Sequence, residues 1–161
     1  MKILFLVLFI LSNNPNDNCS TFYLIRHAEK IRVDSSDRDP DLNEKGKERA
    51  VRWSEYFSKI KLSKIYSTNY KRTINTVQPL ASEKKLEIKL YVPSEIEYEE
   101  FMSTNKGELV LIAGHSNTTP FFANALIGED VYGQIDDFNN SNLYIVNICN
   151  NEVNHRLIKV E

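Results

Sequence analysis

The sequence predicts a three-layer α/β/α sandwich with a mostly parallel central sheet, and three observations carry that reading. Apolar runs of strand length alternate with stretches of helical periodicity, with no internal repeat and no low-complexity segment. Two of the runs, Phe22-Tyr23-Leu24-Ile25 and Leu109-Val110-Leu111-Ile112, are uninterrupted, as buried strands are. Each ends in residues that carry chemistry, Arg26-His27 in one case and Gly114-His115-Ser116 in the other, and ligands of open α/β sheets bind where strands end. The 161-residue length suits a single domain with a real core.

The elements follow in order. Met1-Lys2 is a minimal basic start, Ile3 to Leu11 is apolar throughout, and Ser12 to Asn18 is polar and turn-prone. Nine apolar residues are too few to cross a bilayer, which needs about 20, but they fit the core of a signal peptide. Residues 1–18 are therefore expected to be a signal peptide and linker, residues 19–161 the folded domain, and the protein is expected to be exported. A strand spans Thr21–Ile25, and Ile31–Pro40 is a charged loop. Asn43 caps a helix from Glu44 to about Lys59 whose Ala50, Trp53, Tyr56, Phe57 and Ile60 form one apolar face. Lys64–Ser67 is a short strand, and Tyr70 to Lys84 a helix in which Pro79 predicts a kink or an early break.

Leu86–Val92 reads as a strand alternating Leu86, Ile88, Leu90 and Val92 against polar neighbours. Ser94 to Lys106 reads as a helix closed by Gly107, and Leu109–Ala113 is the most hydrophobic strand. Thr119 as cap with Pro120 in the first turn opens a helix that Gly128 closes. Asn142–Cys149 and His155–Val160 form a terminal hairpin around Asn150-Asn151. The two cysteines, Cys19 and Cys149, fit either a disulfide in an oxidising compartment or two unrelated thiols.

Acidic and basic residues nearly balance at a net charge of -2, so no nucleic-acid partner is expected, and any preference for anions must come from a local cluster. One cluster is available: Arg26 and His27, Arg72 in the segment Tyr66 to Thr73, and His115. A neutral imidazole can attack phosphorus, and the planar fork of Arg matches phosphate oxygens. Phosphoryl transfer asks little of a protein beyond positioning and charge stabilisation. His27 then reads as the nucleophile, Arg26 and Arg72 as a clamp, and His115 as a further donor. Singly each has an ordinary reading, as a half-exposed pair, a helix-surface arginine or a histidine at a strand end. Their joint placement at strand and helix ends makes the case.

These residues resemble the histidine phosphatase (phosphoglycerate mutase-like) superfamily. Leu24-Ile25-Arg26-His27-Ala28-Glu29 is similar to its Arg-His-Gly signature, with Ala28 in place of the usual Gly. Asp39-Pro40-Asp41-Leu42-Asn43-Glu44-Lys45-Gly46 resembles its Leu-Thr-x-x-Gly helix start, Tyr66-Ser67-Thr68 with Arg72, Thr73 and Thr76 its second-arginine motif, and Gly114-His115-Ser116-Asn117 its second-histidine motif. The resemblance, which covers about residues 21–128, implies a phosphatase that phosphorylates His27 and then hydrolyses the phosphohistidine. It implies that Arg26, Arg72 and His115 bind the phosphoryl group and that no metal or organic cofactor takes part. The expected partner is a small phosphorylated substrate or a phosphoprotein, with no stable membrane insertion after leader removal.

The sequence departs from the family pattern at the proton donor. Ser116, not Asp, follows His115, and the third strand ends in Val92-Pro93 with Glu95 and Glu97 a little later. Glu95 and Glu97 are the candidate donors, against their reading as a solvated helix face. Lack of a donor would favour good leaving groups such as phosphohistidine, which short bacterial members of the family hydrolyse. Mutase activity is not expected, for want of covering insertions. Lys30, Arg32 and Arg38 either extend an anion pocket or are solvated loop charge offset by Asp34, Asp37, Asp39 and Asp41. Two other functions compete: a catalytically silent phosphate-binding module, and a zinc hydrolase using His27, Glu29 and His115. Zinc is disfavoured by the two-residue spacing of His27 and Glu29 and by the repulsion Arg26 would exert on a cation.

Overall fold

A computed structural model describes residues 19–161; the signal-peptide reading falls on residues 1–18 and lies outside the described residues. Six strands form one sheet: β1 (Cys19–Arg26), β2 (Lys64–Thr68), β3 (Ile88–Tyr91), β4 (Leu109–Gly114), β5 (Asn142–Cys149) and β6 (Glu152–Lys159). Their order is β3-β2-β4-β1-β5-β6, with the first four parallel and the last two antiparallel to their neighbours. Four helices cover it: α1 (Glu44–Phe57), α2 (Lys71–Lys84), α3 (Tyr98–Thr104) and α4 (Thr118–Ile127). This is the expected three-layer sandwich.

The apolar strands feed both layers. From β1 and β4, Phe22, Leu24, Val110 and Ile112 pack with Phe101 of α3 and Phe122 and Leu126 of α4. Ile25, Leu111 and Ala113 face the other way, onto Trp53 and Phe57 of α1 and Val77 and Leu80 of α2. Burying each of the larger side chains stabilises the fold by roughly 1.5–3 kcal/mol. Because the strands are parallel and in register, Arg26 lies beside Gly114, and Ser67 beside Ala113. The C-terminal ends of β1, β4 and β2 therefore open side by side on one edge of the sheet.

Helix α1 begins as expected, with Asn43 Oδ1 accepting from the Gly46 N–H at 2.9 Å. On its inner face Ala50, Trp53 and Phe57 are buried, whereas Tyr56 is half-exposed and lies off that face. Pro79 does not end α2, which runs on to Lys84. The predicted alternation of β3 is corrected: Tyr91 is buried, while Leu90 and Val92 are exposed. β3 is the edge strand, paired with β2 alone, and Leu90 lies outside both apolar clusters.

The predicted helix Ser94–Lys106 is two pieces, a 3-10 turn at Pro93–Glu95 and α3 from Tyr98. Ile96 between them turns onto the core, and Gly107, at φ 77°, ends the segment in the left-handed region. Helix α4 starts earlier than predicted, with Asn117 in the cap position. Thr119 is buried instead and donates to the Ile25 carbonyl at 3.3 Å. Asn150 and Asn151 both adopt positive φ and turn the β5–β6 hairpin, whose second strand begins at Glu152 rather than His155. The cysteines pair, so the disulfide alternative holds: Cys19 and Cys149 face each other across β1 and β5 and are joined.

Candidate active site

Strand β1 delivers Arg26 and His27 into a cleft of about 400 Å³ at the sheet edge, which Lys30, Arg72, His115 and Asp137 also line. The His27 backbone is fixed on both sides: its N–H donates to the Gly114 carbonyl at 2.9 Å, and its carbonyl accepts from Asn140 Nδ2 at 2.8 Å. Its imidazole Nδ1 lies 2.7 Å from the Ala28 carbonyl. A carbonyl can only accept, so Nδ1 carries the proton and Nε2 keeps a bare lone pair. The ring is almost wholly buried, and burial pushes its pKa down to about 3, against the pull of the Ala28 carbonyl and with the help of Arg26, His115 and Arg72. His27 is neutral at any ordinary pH.

The Ala28 N–H donates to Thr76 Oγ1 at 2.8 Å, and that hydroxyl donates to the Arg72 carbonyl at 2.6 Å, so α2 is tied directly to the turn that carries His27. His115 follows β4, and its ring centroid lies 5.5 Å from that of His27. The Thr68 hydroxyl sits between His115 Nε2 and Thr73 Oγ1, 2.9 Å from each. Burial, then Arg72, Arg26 and Lys30, lowers the His115 pKa to about 4. The Tyr70 ring meets that of His115 edge-on, and the Arg72 guanidinium stacks 4.4 Å above the Tyr70 centroid.

Both guanidiniums are held at one end and open at the other. Arg26 Nη1 donates to the carbonyls of Asp136 and Asn139, and its Nη2 to Asp137 Oδ1 at 2.7 Å. Arg72 Nη1 donates to the Arg38 carbonyl at 3.3 Å and lies 3.7 Å from Asp39. Among the described residues, Nε of Arg26 and Nε of Arg72 are buried without an acceptor. A buried N–H left unmade is expensive, about 1–3 kcal/mol, and two such donors lining one cleft suit an anion's oxygens.

The structure thus brings together four sequence-predicted residues, Arg26, His27, Arg72 and His115, with Lys30 beside them. Others lie elsewhere. Glu95 and Glu97 are exposed and line neither this cleft nor the one next to it. Arg32 pairs with Asp137 at 2.6 Å, and Arg38 contributes only its carbonyl to Arg72. Glu29 does not converge with His27 and His115 as a zinc ligand set would require: its carboxylate is bound by Arg49 Nε at 2.9 Å, with Lys45 at 3.5 Å.

Sequence reasoning passed over Asp137 and Asn140. Both sit in the irregular stretch between α4 and β5, where only the density of Asp and Asn in Asp136-Asp137-Phe138-Asn139-Asn140 marked them. Arg32 and Arg26 hold Asp137 down to a pKa of about 2, despite partial burial, so it is a carboxylate under all working conditions.

Residues 22–92 match the family model described as histidine phosphatase superfamily (branch 1). Over those residues the chain is similar to this superfamily. Solved structures of similar fold include a putative phosphohistidine phosphatase SixA from Agrobacterium tumefaciens, at TM-score 0.65 and 21% identity over 87% of this chain and 98% of that one. YhfR of Bacillus stearothermophilus matches at TM-score 0.69 and 16% identity over 88% and 98%. A mycobacterial glucosyl-3-phosphoglycerate phosphatase matches at 0.67 and 13% over 88% and 98%. At these identities the likeness is one of fold. No curated protein matches the sequence. Of the four motifs that carry the resemblance, three fall at the ends of β1, β2 and β4 and bring residues to one cleft, and the fourth opens α1.

Proposed function

We propose that this protein is a metal-independent phosphatase that hydrolyses a phosphomonoester or phosphohistidine through a phosphohistidine intermediate on His27. One observation carries the reading: a buried, neutral imidazole with Nε2 bare sits in a cleft with two buried guanidinium N–H groups that have no acceptor. His27 Nε2 attacks phosphorus. Arg26, Arg72 and Lys30 neutralise the equatorial oxygens, and His115, whose Nε2 is held by Thr68, offers its other nitrogen to the group in transfer. A bound dianion offsets the surrounding cations and draws a proton onto His115.

Neither candidate donor, Glu95 or Glu97, lines the cleft, and Asp137 has no proton to give. The leaving group therefore departs without a carboxylic acid behind it, which restricts substrates to good leaving groups. The same observation, with Asp137 already paired to Arg26, favours the second reading, a silent phosphate-binding module. A disulfide persists in oxidising compartments, which supports export as the proposed destination.

The test is turnover of p-nitrophenyl phosphate by the protein with and without a chelator, beside His27→Ala. The phosphatase reading predicts activity that survives the chelator and falls at least ~1,000-fold in the variant, as loss of a nucleophile does. Phosphate binding without turnover of any ester would favour the silent module, and activity lost to the chelator would contradict the metal-free route.

A further inference from the structure

Beside the phosphate cleft lies a larger one of about 760 Å³, and the two share Tyr70, Pro93, Asn117 and Thr118 along their common border. Its character changes abruptly at that border. The phosphate side carries three cationic side chains and two imidazoles, whereas none of the residues lining the larger cleft is Asp, Glu, Lys, Arg or His. Its floor is aromatic: Tyr91 and Tyr98 meet Phe122 edge-on, with centroids 5.8 and 5.1 Å away. Phe121 (52% exposed) and Val92 (49% exposed) stand at its rim. Large apolar side chains facing solvent beside a binding site are the usual sign of a ligand surface.

We propose that this second cleft receives the leaving group, and that it selects an uncharged aromatic one, making the substrate class an aryl phosphomonoester. The inference rests on the phosphatase reading above and adds the identity of the alcohol. Two independent features converge on it. The uncharged, ring-lined walls match a flat apolar group and offer no ion pair to a second phosphate, a carboxylate or an ammonium. Asp137, the one carboxylate among the lining residues of either cleft, is ion-paired with Arg26 and Arg32 and has no proton to give. This calls for a leaving oxygen that tolerates negative charge, and a phenol, with a pKa near 10, is such a group.

In the reaction the bond from phosphorus to the aryl oxygen breaks as the bond from His27 Nε2 to phosphorus forms. The electron pair goes to the phenolate oxygen, which takes a proton from water. Water then attacks the phosphohistidine, the P–N bond breaks, its pair returns to Nε2, and the excess proton passes to solvent. Phenol and inorganic phosphate are the products.

The test compares kcat/KM for 2-naphthyl, phenyl and cyclohexyl phosphate in the protein and in Phe121→Ser and Val92→Ser. 2-Naphthol and phenol have similar acidity, so the naphthyl-to-phenyl ratio reports the cleft, whereas the phenyl-to-cyclohexyl ratio reports the leaving group at nearly constant size. The expected result is a naphthyl-to-phenyl ratio of about tenfold, within the range that apolar pocket contacts supply. That ratio falls towards one in both variants, and cyclohexyl phosphate is turned over at least ~100-fold more slowly than phenyl phosphate. Both substituted residues are exposed, and a melting curve checks that each variant is folded. Turnover with no naphthyl preference, or with a preference that neither variant moves, overturns the aryl assignment and leaves the phosphatase reading standing. Failure to turn over any of the three esters, with no difference between the protein and His27→Ala, overturns the underlying reading instead.

Discussion

At the scale of single residues, the burial of the ring keeps His27 neutral and the Ala28 carbonyl leaves its Nε2 unprotonated, and this has a measurable signature. The folded pKa of about 3 lies far below the ordinary imidazole value near 6.5. Once the substrate's own titration near pH 6 is allowed for, kcat/KM is expected to hold steady down to about pH 4 rather than fall below 6.5. A limb at pH 6.5 that belongs to the enzyme would contradict the account. The same shift has a cost in stability. Between pH 6.5 and about 4 the unfolded chain binds protons at His27 and His115 that the folded chain refuses, so stability declines as pH falls through that window. Asp137 adds to the decline lower down: its depressed pKa gives stability that is present above the unfolded value and lost as pH falls towards about 2. Thr68 has a more local role. Thr68→Val removes the hydroxyl between His115 and Thr73 and is expected to lower kcat about tenfold with little change in melting temperature, measured by steady-state kinetics beside a thermal melt.

At the scale of elements, the site depends on how closely α1 approaches the turn after His27. A Cβ built on Gly46 would lie 2.1 Å from the Glu29 carbonyl oxygen, a backbone atom that cannot step aside. That turn is held a second time by Arg49, which reaches from α1 to the Glu29 carboxylate. Gly46→Ala is expected to destabilise the protein by about 2–3 kcal/mol or more and to lower activity with it, checked by denaturant unfolding. A variant as stable as the parent would show that the approach is looser than described. The helix start was legible in the sequence because Asn43 and Gly46 stand three apart at a cap. The segment from Ser94 was misread because Glu97, Glu99 and Glu100 follow one another as they would on a solvated helix, whereas Ile96 leaves the helical path to reach the core. β3 was misread for a related reason: alternation gives the two faces of a strand but not that the strand lies at a sheet edge, where Leu90 finds no cover.

At the scale of the whole molecule, the parallel order β2-β4-β1 is what turns three separated motifs into one cleft, and the sequence announced it through uninterrupted apolar runs ending in polar residues. Left unannounced was everything supplied from afar. Asp137 and Asn140 come from a loop more than a hundred residues beyond Arg26 and His27, with no periodicity to mark them. The disulfide is likewise long-range, with 130 residues of separation, and sequence alone gave no distance between its cysteines. Closing so long a loop restrains the unfolded chain, so Cys19→Ser with Cys149→Ser is expected to cost about 2–5 kcal/mol in chemical unfolding while leaving the catalytic cleft, at the opposite ends of the strands, active.

The claim on which all of this turns is covalent chemistry at His27. Mixing the protein with a phosphoryl-labelled substrate and quenching within a turnover tests it directly. The account predicts a label on His27 that is stable to base, lost in acid and absent from His27→Ala. Turnover at full rate with no labelled protein, or a label of the same stability retained in His27→Ala, would contradict it.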